Sequence, residues 1–163
     1  MRAATTLLAL ALAVTGVRAA ETGGGGLLVR WLDGPPGTVA LARIELAATQ
    51  VVEVRDDDGK MQRFRCTTLG AMLEGAGIPL GRALRGPRLA EYALVRARDG
   101  YRAVFALAEL DAGISERPVH LCVARDGAPL AAGEGPLRLV IPAEKRRARW
   151  VRDVVEVSVQ VAD

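Results

Sequence analysis

The stretch EYALVRARDGYRAVFALAEL, residues 91–110, contains the clearest pattern of strand, turn and strand in this chain. Its first part alternates apolar and polar residues, which predicts a strand over 91–97, and its central Asp-Gly pair is a favoured tight turn. A second alternating run predicts a returning strand over 101–105, and a helical turn is expected from Leu107. The stretch therefore predicts a β-hairpin followed by a short helix.

The same pattern of strand and Asp-Gly turn recurs on both sides of this stretch. Residues 51–66 alternate around Asp58-Gly59, and residues 118–130 contain a strand that runs into a turn at Asp126-Gly127. Other predicted elements are a strand over 27–34, a two-turn helix over 40–48, a Thr-capped helix over 67–78, a loop at 79–88 and a strand over 137–141. Short helices among antiparallel strands predict an α+β domain with one mixed sheet or a barrel. The strands expected in that sheet are 51–56, 60–65, 91–97, 101–105 and 154–161.

The 163-residue chain has the length of one domain, and its first twenty residues differ in character from the rest. They carry a basic start, an apolar run over 7–14 and small residues at Val17 and Ala19, which is the pattern of a secretory signal peptide. The apolar run is shorter than a membrane span, which takes about 20 residues. The expected division is a signal peptide over 1–19, a flexible tether and first strand over 20–37, and the folded domain over 38–163. The glycines at 23–26 form the expected tether. We therefore expect a periplasmic or secreted protein without a transmembrane segment.

The charge of the chain argues against nucleic acid as a partner. The formal net charge is +3, and loss of Arg2 and Arg18 with the signal peptide lowers it to +1. Nucleic-acid binding needs a strongly basic face, which a nearly neutral domain does not predict.

Common catalytic and metal-binding patterns are missing from the sequence. The three acids at 56–58 are consecutive, whereas a calcium loop places acids at alternate positions, so we interpret them as a solvated turn. His120 is the only histidine and lies two residues from Cys122, too few ligands for a zinc site, so we expect a packed or edge histidine. Ser115 and Ser158 are the only serines, and neither has the context of a catalytic nucleophile.

Cys66 and Cys122 are the only cysteines and stand 56 residues apart. In an oxidising compartment they can pair, and a disulfide contributes about 2–4 kcal/mol to stability. The sequence does not determine whether their Cα atoms come within bonding distance, so paired and free thiols both stay open.

Four stretches, in this order along the chain, carry a resemblance to a known family. They are FRCTTLGAMLEGAGI (64–78), DGYRAVFALAEL (99–110), RDGAPLAAGEGPLRLVIP (125–142) and RARWVRDVVEVSV (147–159). Over about residues 38–160 the chain resembles the molybdopterin-binding domain of sulfite-oxidase-type enzymes. That family shows W-x-G-V-P-L-x-x-L-L, D-G-Y, N/D-G-x-P-L with G-x-P-x-R-L-V-x-P, and a basic segment with Trp before the last strand. The resemblance implies a sulfite-oxidase-like α+β fold, an exported location that is typical of many relatives, and, in the active members, a molybdenum-pterin cofactor.

The chain departs from this family at the metal ligand. Active relatives ligate molybdenum through a cysteine thiolate that precedes the W-x-G-V-P-L segment, and residues 51–63 contain no cysteine. Cys66 stands at the glycine of that motif and is the one candidate for a catalytic or ligand role; no other metal ligand is assigned. We expect an exported binding or accessory module that keeps the fold. The alternatives are an active molybdopterin-dependent oxidoreductase and a structural domain that depends on a Cys66–Cys122 bond.

The basic segment before the last strand, AEKRRARWVRD (143–153), is the predicted ligand site. In active relatives this loop binds the pterin phosphate, so the resemblance implies that Arg146, Arg147, Arg149 and Trp150 bind molybdopterin, if any cofactor, or a small anionic ligand. Guanidinium groups suit phosphate and sulfate because they donate paired hydrogen bonds. The alternative is a solvated loop in an arginine-rich chain, with Trp150 anchoring the last strand. The substrate and any protein partner stay unknown at this level.

Overall fold

A computed structural model describes residues 25–32 and 34–162 of the chain. The predicted signal peptide over 1–19 and the tether up to residue 24 lie outside the described residues. The described part contains two five-stranded sheets and three short α-helices, and neither sheet closes into a barrel. The α+β prediction is therefore confirmed, and the prediction of one mixed sheet or a barrel is wrong.

The elements follow one another along the chain as strands and short helices. The strands are β1 (Gly26–Arg30), β2 (Gly37–Ala40), β3 (Gln50–Arg55), β4 (Met61–Thr68), β5 (Glu91–Ala97), β6 (Arg102–Ala106), β7 (His120–Arg125), β8 (Ala128–Pro129), β9 (Arg138–Val140) and β10 (Val154–Val161). The helices are α1 (Leu41–Ala47), α2 (Leu69–Gly75) and α3 (Leu107–Leu110), with 3-10 turns at Gly81–Ala83, Gly86–Ala90 and Arg147–Arg149. The predicted hairpins, helices and closing strands all form, with ends shifted by a few residues.

The two predicted hairpins lie in different sheets. In the first sheet the order is β2-β1-β10-β5-β6, and β10 pairs antiparallel with β5 and parallel with β1. In the second sheet the order is β3-β4-β7-β8, and β9 pairs with β7. Alternation along the chain predicts each hairpin because its strands are neighbours in sequence. The arrangement of the hairpins in sheets depends on pairings between segments that are distant in sequence. In this chain β4 pairs with β7, and β10 pairs with the edge of β5 that β6 leaves open.

The first strand begins inside the predicted glycine tether. Gly26 belongs to β1 and is opposite Ala40 of β2, so the prediction of a flexible tether is wrong at this residue. A Cβ at Gly26 would lie 2.8 Å from the Thr38 Cγ2 atom, which explains why a glycine fits this pairing. Because β1 also pairs with β10, the beginning of the described chain is part of the first sheet.

The helix after the first hairpin forms with the predicted cap. The Thr68 Oγ1 atom accepts a hydrogen bond from the Ala71 N–H at 3.1 Å, which satisfies a free donor of the first turn of α2. The backbone of α3 comes so close to this turn that a Cβ built on Gly70 would lie 2.1 Å from the Leu110 carbonyl oxygen. No helix in the described ranges is long and apolar enough to cross a membrane.

The buried apolar residues of both sheets and the helices form one core. Its largest fully buried side chains include Phe64, Phe105, Leu27, Ile44, Leu69 and Leu73. Phe64 comes from the second sheet and Phe105 from the first, so both sheets contribute aromatic rings to the same core.

Candidate functional site

The basic segment over 143–153 is anchored in the core by its tryptophan. Trp150 is 7% exposed, and its indole Nε1–H donates a hydrogen bond to the Ile141 carbonyl oxygen at 3.2 Å. The Leu139 N–H donates to the Val151 carbonyl oxygen at 2.8 Å, which holds the segment against β9. Trp150 thus anchors the basic segment in the core, four residues before β10 begins.

Two arginines of this segment reach the edge strands of the two sheets. The Arg147 guanidinium donates to the carbonyl oxygen of Arg55, the last residue of β3, and lies 5.0 Å above the Trp150 ring. The Arg149 guanidinium donates to the carbonyl oxygen of Val104 in β6 at 3.2 Å. Since β3 and β6 are edge strands of different sheets, the segment ties the two sheets together.

Arg149 is held by carboxylates of the protein itself. Its Nε atom lies 2.7 Å from Glu144 Oε1 and its Nη1 atom 3.1 Å from Glu109 Oε2, while the guanidinium stacks 4.6 Å from the Phe105 ring. Burial lowers the pKa of Arg149, but the hydrogen bonds and charges of the two glutamates outweigh it and raise the pKa above its ordinary value. A ligand would have to displace these carboxylates, so the predicted role of Arg149 in ligand binding stays a prediction.

A cleft of about 380 Å³ opens beside the segment. Its volume falls in the range of small-molecule sites, about 300–1,000 Å³. We refer to it as the arginine cleft, and its lining residues are Asp57, Ala97, Asp99, Tyr101, Arg138, Arg147, Ala148, Trp150, Val151 and Arg152. The Tyr101 hydroxyl donates to the Ala148 carbonyl oxygen at 2.7 Å, which fixes the β5–β6 turn against one side of the cleft.

Arg138 is the most unusual residue of the arginine cleft, because it is a buried cation. It is 6% exposed, its Nη1 atom lies 3.0 Å from Glu134 Oε1, and its guanidinium lies 5.5 Å from the Phe64 ring. Its Nε atom has no hydrogen-bond partner among the described residues. Burial lowers the pKa of Arg138; the charge of Glu134 opposes this shift, and the positive charges of Arg152 and Arg125 add to it.

Arg152 brings a further positive charge to the arginine cleft, which is lined by three arginines and two aspartates. Arg152 is exposed and has no carboxylate within ion-pair distance in the described part of the chain, yet its charge acts on Arg138. Positive charges that lie near one another repel, which is one reason why the pKa of Arg138 is lowered. Sequence reasoning missed Arg138. The available signal was a charged residue within the apolar run LRLVI over 137–141, since such residues are rarely buried without a partner.

A second cleft of about 650 Å³ lies on the other side of Arg147. It is lined by Glu53, Val54, Arg55, Asp57, Pro142, Glu144, Lys145, Arg146, Arg147 and Trp150. Arg147 and Trp150 therefore line both clefts, Arg146 lines only the second, and Arg149 lines neither. Arg146 is exposed and has no ion pair within the described ranges. The structure thus brings together three of the four predicted residues.

Cys66 and Cys122 form a disulfide between directly opposed residues of β4 and β7. The S–S distance is 2.02 Å, and both residues are fully buried. A disulfide sulfur carries no thiolate, so a metal-ligand role for Cys66 would first require reduction of this bond. That role stays a prediction. The described residues contain no group of three or more His, Cys, Asp or Glu side chains placed to hold a metal ion.

The molybdopterin implied by the family resemblance is matched at one end only. The buried guanidinium of Arg138, with Arg147 and Arg152 on the same cleft, fits a phosphate group. The molybdenum end needs a free thiolate, and the sulfurs of both cysteines are in the disulfide. The side chains therefore fit a pterin phosphate and do not fit the metal.

His120 and the acidic stretch over 56–58 have structural roles. His120 is 8% exposed, and burial lowers its pKa, so the imidazole is neutral at pH 7. The Asp56 carboxylate accepts hydrogen bonds from the N–H groups of Asp58 at 3.1 Å and Lys60 at 2.8 Å. The acidic stretch over 56–58 is thus a hairpin turn held by its first carboxylate.

Comparison with known proteins adds no family assignment, because the sequence matches no protein-family model and no curated protein.

Proposed function

We propose that this protein is an exported binding module that holds a small anionic ligand, such as the phosphate of a pterin, in the arginine cleft. Arg138 is the observation that carries the proposal. A buried cation is costly unless its charge and its N–H groups are satisfied, and Glu134 satisfies it only in part. A phosphate in the cleft would place a second negative charge beside this guanidinium and could accept charged hydrogen bonds, among the strongest in proteins, from the arginines that line the same cleft.

The proposal includes an accessory rather than a catalytic role at molybdenum. Active relatives use a cysteine thiolate, and in this chain the hairpin over 51–63 contains no cysteine. Cys66 and Cys122 are bonded to each other in the core. These two observations support a module that retains a phosphate site and lacks the metal ligand.

Export is part of the same proposal. Disulfides persist in oxidising compartments and are rare in the cytosol, so the Cys66–Cys122 bond supports a periplasmic or secreted location. The signal-peptide pattern over 1–19 agrees with it. Sequencing the N-terminus of protein recovered from the periplasm tests the location, with cleavage expected after Ala19. An intact Met1 in cytosolic protein would contradict it.

Calorimetric titration with inorganic phosphate and pyrophosphate at low ionic strength tests the anion site. Arg138→Met is expected to weaken binding by about tenfold or more, because a hydrogen bond to a charged group contributes about 1.5–3 kcal/mol. Arg117→Met is the matched control, since it removes the same charge from an exposed position that lines neither cleft. Lack of binding by the unmodified protein, or an equal loss in both variants, would contradict the proposal.

A melting curve for each variant separates binding from folding. Arg138→Met removes one partner of a buried ion pair, which destabilises a protein most when the other charge is left unpaired, and Glu134 keeps a partner in Arg125, 2.9 Å away. Arg138→Met is therefore expected to lower the melting temperature moderately, and its affinity is measured at a temperature at which the variant is folded. Metal analysis of protein made in a host that synthesises molybdopterin gives a second test. About one molybdenum per chain, lost on Cys66→Ser, would replace the proposal with an active oxidoreductase.

A further inference from the structure

Asp57 stands apart from the other two acids of the turn over 56–58 because it lines both the arginine cleft and the second cleft. It lies at the tip between β3 and β4, and its side chain is 93% exposed. Its Oδ1 atom is 3.4 Å from the Arg147 Nη1 atom, and Asp57 lines both clefts. Asp56 instead holds the turn through backbone N–H groups, and Asp58 is exposed and lines neither cleft.

The contact between Asp57 and Arg147 is the kind that an incoming anion can replace. An exposed ion pair at this distance contributes little to stability, because water screens it and two long side chains lose freedom. The other contacts of Arg147, with the Arg55 carbonyl oxygen and the Trp150 ring, do not involve Asp57. Arg147 can therefore exchange the Asp57 carboxylate for a ligand oxygen without leaving its place.

We infer that Asp57 is a built-in competitor for the ligand: its carboxylate occupies Arg147 and lowers the affinity of the arginine cleft for anions. This inference rests on the proposed anion site and adds a regulatory contact to it. A phosphate has more acceptor oxygens than the single contact that the Asp57 carboxylate makes. At a sufficient concentration, phosphate therefore displaces Asp57 from Arg147. The hairpin over 51–66 thereby sets the anion concentration at which the cleft fills.

Phosphate titration of Asp57→Asn tests the inference against Asp58→Asn, which removes the same charge one residue away on the same turn. Asp57→Asn is expected to bind phosphate about two- to fivefold more tightly at low ionic strength. This is the change in affinity that corresponds to the free energy of one exposed ion pair. Asp58→Asn is expected to change affinity much less. Because Asp57 is almost fully exposed, Asp57→Asn is expected to keep the melting temperature of the unmodified protein.

A double-variant cycle with Arg147→Met locates the effect. If Asp57 competes for Arg147, the gain from Asp57→Asn disappears when Arg147 is absent. An equal gain in Asp57→Asn and Asp58→Asn would show a long-range charge effect and overturn the inference. Unchanged or weaker binding by Asp57→Asn overturns it also, with the anion site intact. If neither the unmodified protein nor any variant binds phosphate, the anion site itself is refuted, and this inference with it.

Discussion

The disulfide gives the sharpest prediction about stability. Cys66 and Cys122 are fully buried on adjacent strands of the second sheet, with their Cα atoms 3.9 Å apart. The perturbation is the double substitution Cys66→Ala and Cys122→Ala, which removes the bond and leaves no thiol that can re-form it. Alanine is preferred to serine because a buried hydroxyl would need a new hydrogen-bond partner.

The magnitude follows from the length of the closed loop. The bond links residues 56 positions apart, so it restricts the unfolded chain strongly. The loop-entropy relation gives about 4 kcal/mol at 25 °C for a loop of this length, and measured losses on removing native disulfides are about 2–5 kcal/mol. Domains are stable by only about 5–15 kcal/mol, so the variant is expected to stay folded with a much reduced margin.

Urea unfolding, followed by Trp fluorescence, measures the effect. With a slope of about 1–3 kcal/mol per molar urea, a loss of 4 kcal/mol lowers the midpoint by about 2 M. Reductant is the control, because it is expected to bring the midpoint of the unmodified protein down to that of the variant and to leave the variant unchanged. Equal midpoints of the oxidised protein and of protein with both cysteines shown to be reduced would contradict a stabilising role of the bond.

Two further predictions concern other parts of the fold. Burial raises the pKa of Glu156, but the hydrogen bonds and charges of Arg96 and Arg30 outweigh it and lower the pKa below its ordinary value of 4.5. The stabilisation by this carboxylate is therefore present above the unfolded-state pKa and lost as the pH falls through the lower folded-state value. The urea midpoints of Glu156→Gln and the unmodified protein should differ at pH 7 and approach each other as the pH falls below 4.5, and a constant difference would contradict this. Gly70→Ala places a Cβ against the Leu110 carbonyl oxygen, and we expect a loss of about 3 kcal/mol or more in urea unfolding, whereas a loss under 1 kcal/mol would show that α3 shifts easily.

The local parts of the fold were predictable from the sequence, and the assembly of the sheets was not. Alternation and Asp-Gly turns predict both hairpins, and the Thr68 side chain caps α2 as expected. These signals act between residues that are close along the chain. The pairing of β1 with β10 joins segments more than a hundred residues apart, and the sequence of neither strand indicates which strand it pairs with. The division into two sheets follows from such pairings.

The candidate site shows the same division between local and distant information. The basic segment identified Arg147 and Trp150 because charged and aromatic residues stand out in sequence. Whether Arg149 is available for a ligand depended on Glu109, which is 40 residues away and holds its guanidinium. Arg138 was missed because it sits in a short apolar strand, and only the folded chain shows it buried beside the cleft.

A structural role and a ligand-binding role for the basic segment support each other at Arg147. Its guanidinium is already oriented by the Arg55 carbonyl oxygen and the Trp150 ring, and Arg138 is oriented by Glu134. A side chain that is fixed before binding loses little conformational entropy when the ligand arrives, whereas an exposed arginine loses about 0.5–1.5 kcal/mol. Most of the affinity for an anion is therefore expected from Arg138 and Arg147, which also stabilise the fold. Little is expected from the exposed Arg146, which precedes Arg147 in the sequence.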